Sequence, residues 1–133
     1  MYYFDANIFI FPQIYDLSIE SAAKAKEYLT SLTEGEIKGC TSTLTWDEIV
    51  YIVRKVGGKR NSLKAGTKFL RFPNLKIVDV DLKIISKAQK LVETYSLKPR
   101  DAIHAACALI YCDGEIITSD SDFDVVEEVK RKF

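Results

Sequence analysis

The ten residues Met1–Ile10 constrain the fold more than any other stretch of the chain. Tyr2, Tyr3 and Phe4 precede Asp5, and Ile8, Phe9 and Ile10 follow it. An aromatic-rich run that stops at a polar residue fits a buried strand ending at Asp5. Ala6 to Phe11 then begins a short helix that Pro12 is expected to end. A carboxylate at the end of a central strand is costly to desolvate unless something positive meets it. The carboxyl edge of an open α/β sheet is also where ligands bind. Asp5 is therefore a candidate site acid.

The rest of the chain alternates between helical and strand patterns. Ser18 to Leu32 reads as a helix capped by Ser18, with Ala22, Ala25, Tyr28, Leu29 and Leu32 on one face. Ile37 to Thr41 is a short strand. Thr43 to Glu48 opens a second helix, with Ile49, Ile52, Val53 and Val56 inward and Gly57-Gly58 as its end. Lys59 to Phe72 is a third helix, stopped by Pro73. Leu75 to Val80 is a strand, and Asp81 caps a helix running to about Tyr95. Pro99 suits the first turn of the next helix, Arg100 to Tyr111, which is apolar nearly all round and should be central and buried. Asp113-Gly114 turns the chain into the strand Glu115 to Thr118. An acidic loop, Ser119 to Asp124, leads to a short terminal element. This alternation predicts an α/β domain with a mainly parallel sheet of four to five strands, covered on both faces.

Length and composition set further bounds. A chain of 133 residues is read as one domain, residues 1–133, able to bury a real core. Basic and acidic residues balance at 19 each, so net charge argues neither for nor against a nucleic-acid partner. Cys40, Cys107 and Cys112 leave one thiol unpaired in any disulfide scheme and lack CxxC spacing. With a single histidine they make no convincing zinc site and fit buried thiols in a reducing cytoplasm. Neither a signal peptide nor a membrane span is expected.

Four acids share one kind of position. Asp5 ends the first strand, Glu48 lies in the first turn of the second helix, Asp101 in the first turn of the buried helix, and Asp120 just after a late strand. Strand ends and helix starts occupy the same edge of a parallel sheet, so all four are placed to share a cleft. Like charges that close would not all ionise unaided. A hard divalent cation, Mg²⁺ or Mn²⁺, resolves the repulsion. Two such ions roughly 3.5–4 Å apart clamp the attacking and leaving oxygens of a displacement at phosphorus. Plainer readings stand beside this one. Thr45 to Glu48 makes a capping box, Asp101 suits the helix dipole, and Asp120, Asp122 and Asp124 fit a solvated loop. The Asp120–Asp124 run fails as a calcium loop, because Val125 stands where glycine is needed and Arg131 where a bidentate Glu is needed. His104, three residues after Asp101, is read as structural or hydrogen-bonding rather than as a general base.

The stretches Phe4–Ile8, Thr45–Glu48, Pro99–Ala106 and Ile117–Phe123, in that order, resemble the four signature segments of PIN-domain ribonucleases. Within that family the chain is most similar to VapC-type toxins of toxin–antitoxin pairs. The resemblance implies a three-layer α/β/α fold and a Mg²⁺- or Mn²⁺-dependent endoribonuclease leaving 5′-phosphate and 3′-hydroxyl ends. It also implies a homodimer and a small antitoxin partner. By motif it makes Asp5, Glu48, Asp101 and Asp120 the acidic cluster, with Asp5 and Asp101 as the foremost metal ligands. Asp122 matches a position that is often acidic, and either it or Asp120 is the fourth acid. Asn7 and Thr118 match polar companions that would orient carboxylates.

Between Ile49 and Val78 there are eight basic residues and no acid. Arg60, Lys64, Lys68 and Arg71 stripe one helical face. That face suits RNA phosphates, an acidic antitoxin segment, or plain solvation. Two other functions fit the same sequence: a non-catalytic PIN-like module that binds RNA or protein, and a housekeeping RNA-processing nuclease. A phosphotransfer receiver is disfavoured, because Asp79 is a poor phosphoacceptor candidate.

Overall fold

The computed structural model describes all 133 residues. In chain order they form β1 (Tyr2–Phe4), α1 (Ala6–Ile14), α2 (Glu20–Thr33), β2 (Gly39–Ser42), α3 (Thr43–Leu70), β3 (Leu75–Val78), α4 (Leu82–Thr94), α5 (Pro99–Tyr111), β4 (Glu115–Ile117), a 3-10 turn (Ser121–Val125) and β5 (Lys130–Lys132). The sheet has five strands in the order β3-β2-β1-β4-β5, and every pairing is parallel. The expected three-layer architecture is present. The chain steps outward from β1 to β3, crosses back, and resumes beside β1 with β4. Strand order therefore reverses at β1/β4, the kind of crevice where open α/β sheets bind ligands.

Strand periodicity sorts the core into two layers. Successive side chains of a strand point to opposite faces. Tyr3, Cys40 and Ile116 accordingly pack with Ile84, Ala88 and Leu91 of α4 and with the small residues of α5. Phe4 and Ile117 face the other way, onto Ile8 and Phe9 of α1, Leu29 and Leu32 of α2, and Ile49 and Phe69 of α3. The alanines of α5 let it lie close against the sheet: Ala102, Ala105, Ala106 and Ala108 are all fully buried. The three cysteines are free and buried. Burial pushes the Cys107 thiol up to about 12, which leaves it unreactive.

Several boundaries differ from the sequence reading. Pro12 lies inside α1, which continues to Ile14 and closes with Tyr15 N–H donating to the Phe11 carbonyl at 2.9 Å. Ser18 does not cap α2; Ile19 holds that position without a side-chain bond, and Asp16 accepts from the Ser18 N–H instead. Asp81 does cap α4, accepting from Ile84 N–H at 3.1 Å. The expected break at Gly57-Gly58 is present within α3, where Gly58 has φ 86° and ψ 170°. The second half folds back so that Gly66 meets Trp46 and Val50. The charged C-terminal stretch forms β5, an edge strand paired with β4 through Glu115–Lys130 and Ile117–Lys132. Its alternation is weak because an edge strand has little core to face.

The turn into β4 depends on Gly114, with φ +80°; a Cβ there would stand 2.3 Å from the Glu128 carbonyl oxygen. Gly58 has a similar positive φ but open space around it. Gly58→Ala is therefore expected to cost only the backbone strain, about 1–3 kcal/mol. Gly114→Ala should cost distinctly more, because backbone must move as well. Urea titrations of the two variants check this; equal losses would refute the steric argument.

Candidate active site

The site grows from the ends of β1 and β4. Asp5 follows β1, and its N–H donates to the Ile117 carbonyl at 3.1 Å, closing the ladder between the two strands. It also caps α1, its Oδ1 accepting from Ala6 N–H at 2.8 Å. The residue is only 6% exposed, so its carboxylate needs compensation within the protein. Thr118, the residue after β4, donates its hydroxyl to Asp5 Oδ2 at 2.7 Å. The same Thr118 oxygen accepts from Asn7 Nδ2 and from the Asp120 N–H, both at 3.1 Å. Asn7 Nδ2 also reaches Ser119 Oγ at 3.1 Å, while its buried Oδ1 has no partner. One hydroxyl thus links Asp5, Asn7 and the start of the acidic turn.

Glu48 arrives from α3. The capping-box reading fails here, because α3 begins at Thr43 with Ser42 at the cap and Thr45 lies inside the helix. The Thr45 hydroxyl shares a hydrogen bond with Thr41 Oγ1 at 2.7 Å. Glu48 turns instead toward α5, where its Oε1 lies 2.5 Å from His104 Nε2. That nitrogen is also 3.6 Å from Asp5 Oδ1. The other ring nitrogen, Nδ1, is 2.6 Å from the Tyr3 hydroxyl, which donates to Ser42 Oγ at 3.0 Å. Burial alone would push the His104 imidazole down. The Glu48 hydrogen bond and the charges of Asp5, Glu48 and Asp101 outweigh it, and its pKa is raised. For Asp5, burial raises the pKa; His104 and Thr118 oppose that rise, and Glu48 adds to it.

The remaining acids form a second, more open group. Asp101 from the first turn of α5, Asp120, and Asp122 from the 3-10 turn present carboxylate oxygens within 4.8 Å of one another. Asp120 shapes this turn, its Oδ1 accepting from Asp122 N–H at 2.9 Å. No Lys or Arg forms an ion pair with any of the three. Burial, then the charges of Asp120 and Asp5, push the Asp101 carboxyl up to about 6. The structure brings both Asp120 and Asp122 to Asp101. Asp5 and Glu48 stand outside that tight group, joined to each other through His104. An all-oxygen, all-carboxylate donor set with a charge deficit fits a hard divalent cation.

Sequence reasoning missed Tyr3, Ser42 and Ser119. Ser119 was within reach, as a hydroxyl beside Thr118 in the matched stretch. Tyr3 and Ser42 carried no signal, since an aromatic in an apolar run says nothing about where its hydroxyl points. Arg60, Lys64, Lys68 and Arg71 are all exposed on the second half of α3, and none is ion-paired. They do not line the acidic site. Lys64 and Lys68 instead border a groove beside α1.

A PIN domain family model matches residues 2–129, and the chain belongs to the PIN domain family. Solved structures share the fold. The Mycobacterium tuberculosis toxin VapC20, a sarcin–ricin loop cleaving toxin, superposes with a TM-score of 0.77 at 14% identity over 97% of both chains. A toxin–antitoxin complex from Klebsiella pneumoniae matches at 0.68 and 24% identity, over 98% of this chain and 96% of that one. VapBC2 from Rickettsia felis, bound to a DNA fragment from its promoter, matches at 0.71 and 17% identity with the same coverage. Comparison with curated protein sequences finds no match.

The burial of Asp101 among other acids predicts a pH signature. The folded pKa of Asp101, about 6, exceeds the unfolded value of about 3.9. Between those values the folded protein binds more protons than the unfolded chain, so the contribution of Asp101 to stability falls as pH rises. Asp101→Asn removes that loss. In EDTA the variant should melt above the parent protein at pH 7.5 and level with it near pH 4. Absence of any gain at pH 7.5 would contradict the raised pKa of Asp101.

Proposed function

We propose that this protein is a Mg²⁺- or Mn²⁺-dependent endoribonuclease and the toxin of a toxin–antitoxin pair. The observation that carries the reading is the trio Asp101, Asp120 and Asp122, with oxygens within 4.8 Å of one another and no ion-paired cation, in a PIN-family chain. Asp101, Asp120 and Asp122 would hold the ion, with Asp5 and Glu48 completing the acidic site. Such an ion supplies Lewis-acid polarisation at phosphorus and makes water a competent nucleophile at neutral pH. The chain's own residues orient the site. Thr118 and Ala6 N–H fix the Asp5 carboxylate, and His104 holds Glu48 in place. Asn7 braces Thr118, so the acids are set by packed elements rather than by mobile loops. RNA enters the reading through the family and through the VapC20 resemblance.

The same reading includes a small antitoxin, homodimerisation and a cytoplasmic setting. Both the Klebsiella and Rickettsia relatives are toxin–antitoxin complexes. No helix of this chain is long and apolar enough to cross a membrane. Phe9, Pro12, Leu29 and Phe69 floor a groove with Lys26 and Lys68 on its rim. An amphipathic segment with acidic residues is the complement of that surface. In this reading Lys68 of the basic stripe meets the partner rather than RNA.

Purified protein should cut single-stranded RNA with Mn²⁺ or Mg²⁺ and stop in EDTA. Asp5→Asn and Asp101→Asn should each reduce cleavage by at least about 10²-fold, the loss typical of removing an essential electrostatic group. Both should keep the parent's circular dichroism spectrum. Retained cleavage in either variant would remove that residue from the site. A folded protein with neither cleavage nor Mn²⁺ binding would be a non-catalytic binding module instead.

A further inference from the structure

A cleft of about 410 Å³ opens directly from the acidic trio, with Asp101 and Asp122 in its wall. Its other lining is unlike the acids. Val92, Tyr95, Leu97 and Val125 supply an apolar, partly aromatic surface, and Lys98 supplies one cation. Val125 is 49% exposed, a β-branched side chain left open on the 3-10 turn. Lys98 is exposed and makes no ion pair, although acids lie in the same cleft.

The cleft is preformed. Tyr95 and Lys98, which flank the α4–α5 connection, are extended, with ψ 157° and 152°. Pro99 enforces this at Lys98 by disfavouring helical geometry for the residue before it. Leu97 N–H donates to the Tyr95 carbonyl at 2.9 Å, and the Tyr95 hydroxyl donates to Glu128 at 3.1 Å. The aromatic side chain is therefore anchored at its polar end, against the segment leading into β5.

We infer that this cleft is a nucleotide subsite: it seats one unpaired base beside the scissile phosphate, with Tyr95 as its aromatic wall and Lys98 on a flanking phosphate. The inference rests on the ribonuclease reading and adds to it the residues that seat one nucleotide beside the acids. An apolar and aromatic wall accepts the face of any base, whereas a base held in a duplex cannot leave its stack to reach it. Lys98 supplies the phosphate contact that the acids beside it cannot. The cleft therefore takes an unpaired base, with little preference among the four. Tyr95 and Lys98 act on binding, and the acids act on the reaction.

The test uses the full chain with Mn²⁺ and a single-stranded RNA oligonucleotide, beside the same sequence locked in a duplex. Tyr95→Ala should raise KM roughly five-fold or more, the size of one lost base–aromatic stack, with kcat and the Mn²⁺-induced rise in melting temperature unchanged. Tyr95→Phe, which keeps the ring but drops the Glu128 bond, should restore KM. In an Asp5→Asn background, Lys98→Gln should reduce the slope of log affinity against log salt by about 0.7. Lys83→Gln, at an exposed lysine outside the cleft, should not. The duplex should bind more weakly than the single strand and be insensitive to Tyr95→Ala. If the parent protein cuts RNA while Tyr95→Ala and Lys98→Gln leave KM and salt slope untouched, the subsite is refuted and the ribonuclease reading stands. If the parent shows no metal-dependent cleavage, both fall. Lys98 is exposed, so its variant remains decisive even if Tyr95→Ala fails to fold.

Discussion

The hydrogen bond from Thr118 to Asp5 holds the molecule's chemistry in place. A carboxylate 6% exposed at the end of a central strand would be strongly unfavourable alone. The fold meets that cost from three directions: the Thr118 hydroxyl, the Ala6 N–H, and His104 at 3.6 Å. Each contact also serves the architecture. Thr118 ties β4 to β1, Ala6 starts α1, and His104 draws α5 toward α3 by way of Glu48. Removing the charge from Asp5 would relieve the desolvation but leave the groups that compensate it without their partner. Stability and site geometry are therefore carried by the same bonds.

Around this anchor the acids divide into two electrostatic groups. Asp5 and Glu48 flank one imidazole, buried on its own ring faces and hydrogen-bonded on both nitrogens. Its raised pKa means that the charges around it outweigh the burial that opposes its protonation. Asp101, Asp120 and Asp122 form no ion pair, and burial, then the charges of Asp120 and Asp5, hold the Asp101 pKa up. A protein optimised only for stability would not retain that arrangement. The closed group fixes geometry, and the open group is the one with room for an added cation.

Much of the site was legible because backbone topology places strand ends and helix starts on one edge. The β/α alternation, with strands ending at Asp5 and near Thr118 and helices starting near Glu48 and Asp101, was enough to put Asp5, Glu48, Asp101 and Asp120 on that edge. Local signals misled where tertiary contacts outweighed them. Thr45 and Glu48 had the spacing of a capping box, but α3 begins two residues earlier and Glu48 is drawn to His104. Pro12 had the look of a terminator, but α1 is packed against α2 and α3, and those contacts carry it past one missing hydrogen bond.

The sequence by itself determined the layers, the parallel sheet, the break at Gly57-Gly58 and the company of acids. These follow from side-chain periodicity and from glycine and proline backbone limits, which act over a few residues. Only the tertiary structure decided which acids meet. Asp122 joined Asp101 and Asp120 because the chain after β4 coils into a 3-10 turn. Glu48 joined Asp5 through a histidine 56 residues away from it in the chain. It also decided that Lys130–Lys132 is a strand, since only the free edge of β4 makes that charged stretch pair. Such distant pairings depend on where packed layers bring side chains in space, and no local pattern in the sequence encodes that.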